Sequence, residues 1–217
     1  MSGKLIVIDG IDGSGKTTQI ELLIKYFSER DFPYQTISFP RYEHNLYGKL
    51  IRRYLAGEFG SISQVNPYLV ALAYAGDRAL AKPLIEEWLR GGKVVIINRY
   101  VSSSKAHLGA NLPEEKREEF FKWLDDLEYK TNNIPKEDFT ILLDVDPKIG
   151  QQNVQKDHRV DLHESNIEHE QKAAKIYFEL SQAEENWVVI DCMENGKMRP
   201  KEQIHQEIVK SLSSYLI

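Results

Sequence analysis

The sequence predicts an α/β fold in which five parallel strands form one sheet with helices on both faces. Three observations carry this. Short apolar bursts alternate with longer stretches of helical spacing along the whole chain. The bursts read as strands apolar on both faces, the pattern of a parallel sheet covered on both sides. The first burst runs into a glycine-rich turn that opens an amphipathic helix.

Taken in order, Leu5–Asp9 (LIVID) is a buried strand ending at a glycine. Thr17–Glu29 has helical spacing, with Ile20, Leu23, Ile24 and Phe27 on one side. Thr36–Phe39 is a second strand, stopped by Pro40. A long helix follows Pro67 and runs to Arg90, ended by Gly91 and Gly92. Val94–Asn98 is the third strand, Phe139–Val145 the fourth and Trp187–Asp191 the fifth. Further helices are expected over Pro113–Leu127, Glu168–Ala183 and Pro200–Leu216. With no repeat and no low-complexity linker, residues 1–217 read as one domain. In such sheets ligands gather at the carboxyl ends of the strands. Gly10–Thr17, Pro40-Arg41 and Asn98-Arg99-Tyr100 each follow a strand directly.

Composition narrows the function. A chain of 217 residues that is 41% hydrophobic has enough apolar surface for one sizeable core. A formal net charge of -5 argues against a general nucleic-acid surface, which needs a basic stripe. The lone cysteine, Cys192, rules out an internal disulfide and suits the reducing cytoplasm. The longest apolar run, about Leu69 to Ala75, falls far short of the ~18 residues of a membrane span. The N-terminus enters a strand at once, without a signal-peptide pattern.

Gly10-Ile11-Asp12-Gly13-Ser14-Gly15-Lys16-Thr17, followed by Thr18, matches G-x-x-x-x-G-K-[ST]. It stands between a buried strand and an amphipathic helix, as a phosphate-binding loop requires. The glycines permit a backbone that turns successive N–H groups inward, and the helix N-terminus adds partial positive charge. Lys16 brings an ammonium to the β- and γ-phosphates, and the Thr17 hydroxyl is a ligand for Mg²⁺. The expected architecture is therefore the three-layer P-loop NTPase fold, binding ATP and Mg²⁺. A GTPase would need N-K-x-D to read its base, which is absent. Larger ATPases usually end a strand in aspartate for the metal, where this chain has Asn98. A small-molecule kinase fits the length.

The acceptor side is read from three further segments. Arg41 follows Pro40 at the sheet edge, and its guanidinium fork suits a phosphate monoester. Tyr74 and Arg78 lie four apart on one helix face, a ring and a forked donor beside small Ala75 and Gly76. Such a pair is suited to stacking on a base and bonding its edge; taken alone, the segment reads first as a core tyrosine with an ion-paired arginine. Arg99 leaves the third strand beside the phosphate loop, ahead of Ser102, Ser103, Ser104 and His107. The mixed-charge stretch from Lys156 to Glu164 lies where a lid over the phosphates belongs, at about residues 150–165.

Together these residues resemble the thymidylate kinase family, the P-loop nucleoside monophosphate kinases that phosphorylate dTMP with ATP. IVIDGIDGSGKTT, FPR, the Y-A-G-D-R helix segment and N-R-Y-V-S-S-S occur in order, with Asp161 and Glu164 forming a D-x-x-E and Tyr177 later. The resemblance covers nearly the whole chain. It implies that Asp12 accepts from the 3′-hydroxyl, Arg41 and Arg99 hold the monophosphate, Tyr74 stacks on thymine and Arg78 donates to its carbonyl. Ser103 and Ser104 would lie at the base edge, with His107 against C2′. The phosphate loop carries no arginine, so the lid would supply the cation, Arg159 first. A homodimer is implied by resemblance alone. Asn98, His107 and Leu108 depart from the family pattern, which usually has Asp, an aromatic and a polar residue there. The alternatives are a deoxynucleoside or other small-molecule kinase, and a low-turnover nucleotide-binding regulatory module.

Overall fold

A computed structural model of the chain describes residues 3–61, 64–157 and 166–216. Strands β1 (Lys4–Asp9), β2 (Tyr34–Ser38), β3 (Val94–Asn98), β4 (Phe139–Asp144) and β5 (Trp187–Asp191) form one sheet in the order β2-β3-β1-β4-β5. Every pairing in it is parallel. Ile8 and Ser38 both pair with Asn98, so β1, β2 and β3 end together at one edge of the sheet.

Alternation along β1 explains the three layers. Leu5 and Val7 point to one face, with Val95 and Ile97, and pack on the helices of that side. Ile6 and Ile8 point to the other, with Ile96, Ile141 and Leu143. All of these side chains are buried, each stabilising the fold by about 1.5–3 kcal/mol relative to exposure. The second face is closed by α1 (Lys16–Ser28), through Ile20, Leu23 and Phe27, and by the C-terminal helix through Ile204, Ile208 and Leu212.

The first face carries α2 (Leu46–Leu55), α3 (Pro67–Arg90), α4 (Val101–Gly109) and α5 (Glu114–Asp125). Asn45 caps α2 by accepting the Gly48 N–H at 2.9 Å. At Gly76 of α3 a Cβ would lie 2.6 Å from the Tyr47 ring, so glycine lets α2 seat there. Helix α5 passes into a π-helical turn over Asp126–Thr131, where one α-helix reaching Leu127 was expected. Helix α6 (Pro147–Asp157) takes in Lys156 and Asp157, which the sequence reading assigned to a loop. Residues 158–165, holding Arg159, Asp161 and Glu164, lie outside the described residues. Helix α7 (Ile167–Ala183) packs on α4 through Ala106, Ala110, Ala173 and Ile176. The three alanines bring little bulk to this contact, and Tyr177 is buried in the same cluster. A short hairpin, β6 (Met193–Glu194) and β7 (Lys197–Met198), precedes α8 (Lys201–Leu216).

Candidate active site

The carboxyl end of β1 becomes the phosphate loop because its backbone needs positive φ. Gly10, Gly13 and Gly15 have φ of 140°, 71° and 91°. A Cβ at Gly13 would sit 2.0 Å from the Gly150 carbonyl oxygen, so α6 packs directly on the loop. Asn153 of α6 donates to the Gly13 carbonyl at 3.1 Å. Lys16 Nζ donates to the carbonyls of Gly10 at 3.0 Å and Ile11 at 2.6 Å, and to Ser14 Oγ at 3.3 Å. Burial pulls its pKa down to about 8; the Arg99 charge adds to this, and Asp12, Asp9 and Glu170 oppose it.

An open cleft of ≈ 1260 Å³, including space open to solvent, runs outward from this loop. Lys16, Thr17, Thr18 and Asn98 line one part, and Asn153, Met198 and Arg199 another. Asn98 Oδ1 is buried and accepts no hydrogen bond among the described residues. An orphaned oxygen of this kind, beside a phosphate loop, is placed to accept from a water or a metal-bound group.

A second cavity of ≈ 520 Å³, again including space open to solvent, lies on the other side of Asp12 and Arg99. Tyr74 and Arg78 reach it from α3, and Ser103, Ser104 and His107 from α4. Phe39, Pro40 and Tyr42 close it from the β2 end, where the Phe39–Pro40 peptide is cis. Arg78 is fully buried. It pairs with Glu128 of the π-helical turn and donates to Ser104 Oγ at 2.8 Å and the Tyr100 carbonyl at 3.3 Å. Burial opposes its charge, but Glu128 outweighs that and raises its pKa. This arginine is ion-paired, as one of the two sequence readings expected, and it also lines the cavity.

Asp12 and Arg99 line both cavities. Arg99 sits at φ 65°, in the left-handed region, so its backbone turns sharply out of β3 into α4. Its guanidinium bonds Asp12 Oδ1, and donates to His107 Nε2 at 3.1 Å and Ser103 Oγ at 3.4 Å. Burial works against the charge, and Asp12, Tyr177, Asp9 and Glu170 together push its pKa up.

Besides Glu128, three acidic residues were not singled out from sequence. Asp9, fully buried, accepts from the Gly10 N–H at 3.0 Å and from Ser102, Ser103 and Tyr177 hydroxyls at 2.6 Å each. It ties the start of the phosphate loop to α4 and α7; the Asp-Gly step ending LIVID was its only signal. Glu170 accepts the Asp12 backbone N–H at 3.2 Å from within α7. Asp77 accepts from Arg41 Nε at 2.9 Å and from its backbone N–H at 2.7 Å. Arg41, between cavity-lining Pro40 and Tyr42, is not itself among the lining residues, because its guanidinium is turned onto Asp77 of α3.

Comparison with known proteins gives one answer. Residues 8–208 match the family model described as thymidylate kinase. The chain is 32% identical over 183 residues to thymidylate kinase of Mycobacterium tuberculosis, covering 82% of this chain and 85% of that one. It is 29% identical over 212 residues to thymidylate kinase of Fervidobacterium nodosum, covering 97% and 99%. The solved thymidylate kinase of Candida albicans superposes with a TM-score of 0.78 at 20% identity, over 99% of this chain and 92% of that one, a likeness of fold. The matched residues take in the phosphate loop, Asp12, Arg99 and the lining of the inner cavity, and the chain belongs to the thymidylate kinase family.

Proposed function

We propose that the chain transfers the γ-phosphoryl group of ATP to the phosphate of dTMP, giving dTDP and ADP. The observation that carries this is the sharing of Asp12 and Arg99 between the outer cleft and the inner cavity. Two anions bound on either side would meet at that pair. The acceptor phosphate, with a second pKa of about 6, is largely a dianion near neutral pH and needs no general base. What remains is alignment and charge neutralisation.

The chain's own groups divide that work. Lys16 would exchange the Gly10 and Ile11 carbonyls for the β- and γ-phosphates of ATP, held on the N–H groups of Gly10 to Thr18. Arg99 would exchange Asp12 for the acceptor phosphate, which releases the Asp12 carboxylate to accept the 3′-hydroxyl. Arg41, anchored on Asp77, supports the same phosphate. Tyr74, Arg78, Ser103, Ser104 and His107 hold base and sugar. Arg159, Asp161 and Glu164 keep their lid roles on the resemblance alone, with the lid continuing from α6 in a single domain. Mg²⁺ fits the outer cleft, where exposed Thr17 and the orphaned Asn98 oxygen would hold it or its waters. When bound it would neutralise charge on the phosphates.

We further propose a homodimer working in the cytoplasm. No helix among the described residues is long and apolar enough to cross a membrane. The single thiol, Cys192, is buried, its pKa raised to about 12 by burial, and so stays inert. A coupled ADP-release assay over dTMP, dUMP, dCMP, AMP and thymidine tests the reading. dTMP should give the highest kcat/KM; a higher value for AMP or thymidine would overturn it. A deoxynucleoside kinase would prefer thymidine, and a regulatory module would turn over none of the five.

A further inference from the structure

His107 from α4 and His169 and Glu170 from α7 converge between the two helices. The three are buried at 6%, 4% and 2% exposure. One donor atom from each lies within 4.8 Å of the other two. The His107 and His169 rings stack at 5.7 Å between centroids, inclined by 29°. His107 Nδ1 faces Glu170 Oε1 at 3.8 Å. We propose that His107, His169 and Glu170 form a site for a borderline transition-metal dication, Zn²⁺ or Co²⁺, separate from the Mg²⁺ of the nucleotide.

The donor chemistry sets the class of ion. Two imidazole nitrogens and one carboxylate oxygen suit Zn²⁺ and its neighbours, whereas Mg²⁺ prefers oxygen alone. The surroundings already orient two of the ligands. Glu170 Oε2 accepts the Asp12 N–H at 3.2 Å, which leaves Oε1, buried and accepting no hydrogen bond among the described residues, as the donor. His169 Nδ1 lies 3.0 Å from Asn111 Oδ1, a contact that orients the ring. Metal–ligand bonds of roughly 2.0–2.2 Å require the donors to draw together by about 1 Å.

Occupancy is linked to the reaction through His107. Arg99 donates to its Nε2, so in the neutral ring the proton sits on Nδ1. A metal on Nδ1 moves that proton to Nε2, and Arg99 then loses an acceptor there. The ion therefore loosens the residue proposed to hold the acceptor phosphate, and acts as an inhibitor.

The test uses the untagged full chain without nucleotide. Wild-type protein equilibrated with Zn²⁺ should retain about one equivalent after dialysis and gain thermal stability. Co²⁺ should give the visible d–d absorption of a four-coordinate site. His169→Leu and the more conservative His169→Asn should each bind at least ~10-fold more weakly. With ATP and Mg²⁺ present, micromolar Zn²⁺ should slow the wild-type enzyme and leave His169→Leu, whose metal-free turnover is unchanged, at its basal rate. Wild-type protein that binds no Zn²⁺, or no more than His169→Leu does, overturns the site. Zinc inhibition of equal size in both proteins overturns the link to Arg99.

Discussion

Lys16 occupies a cradle that disfavours its own charge when no phosphate is bound. Its pKa of about 8 lies below the ordinary 10.5. Between those values the unfolded chain holds a proton that the folded chain has released. Stability therefore rises with pH across roughly 8 to 10.5, and the full penalty, on the order of 3 kcal/mol, is present below pH 8. Lys16→Met should abolish that rise, as read by urea unfolding at several pH values. The same variant should lower kcat by at least ~100-fold, since the ammonium is proposed to act on the transferring group. Equal pH slopes in both proteins would show a normally titrating lysine. Asn98 poses the complementary question of a missing charge. Its orphaned oxygen keeps one acceptor but offers the metal no anion. Asn98→Asp changes charge with almost no change in volume. It should lower the Mg²⁺ concentration for half-maximal rate; an unchanged or higher requirement removes Asn98 from the metal's surroundings.

At the scale of elements, Arg78 joins α3, α4 and the π-helical turn through Ser104 and Glu128. Removing one partner of a buried ion pair leaves an uncompensated charge. Glu128→Ala should therefore cost about 3–5 kcal/mol of stability. It should also raise KM for dTMP more than it lowers kcat, because Arg78 is proposed to touch the base and not the transferring group. Steady-state kinetics on protein verified as folded check this, and an unchanged KM would detach Arg78 from the base. The element level also shows what sequence could and could not reveal. Strands β1, β3 and β4 were legible as short runs buried on both faces, and the half-buried edge strands β2 and β5 as short apolar bursts between helical stretches. The phosphate loop was legible because its spacing is set by local backbone. Helix α4 was not, since its serines and His107 are buried by neighbours on every side, which removes the polar face that marks a helix. Helix α2 was hidden by exposed Leu46, Tyr47 and Leu50, which blur its apolar period. The acidic partners Asp9, Asp77, Glu128 and Glu170 were not legible either. Each lies in an ordinary strand or helical pattern, and its role comes from a residue 36 to 168 positions away.

At the scale of the whole molecule, the face formed by α2 and α3 is unusually apolar. Leu69, Leu72, Leu80 and Leu84 of α3 are 66%, 46%, 56% and 40% exposed. At 100° per residue they fall within an arc of about 120°, interrupted at Gly76 where Tyr47 of α2, itself 41% exposed, is seated. Leu46, at 82% exposure, and Leu50 extend the patch on α2. Single exposed leucines need no explanation, but a contiguous patch on one face marks an association surface. The same α3 presents Tyr74 and Arg78 to the acceptor cavity, so burial of its outer stripe would also steady the site. In the proposed homodimer this stripe is the contact, and the wild-type chain should elute as twice its 25.1 kDa in light scattering after gel filtration. The double substitution Leu72→Glu and Leu80→Glu places two charges on each copy, four across a two-fold interface, where desolvation and like-charge repulsion both oppose contact. It should run as a monomer at micromolar concentration. Its KM for dTMP should rise by a few-fold while its affinity for ATP, bound at the opposite end of the shared Asp12–Arg99 pair, stays close to wild type. A wild-type chain that is monomeric at the same concentration removes the dimer; a dimeric double variant moves the interface to another face.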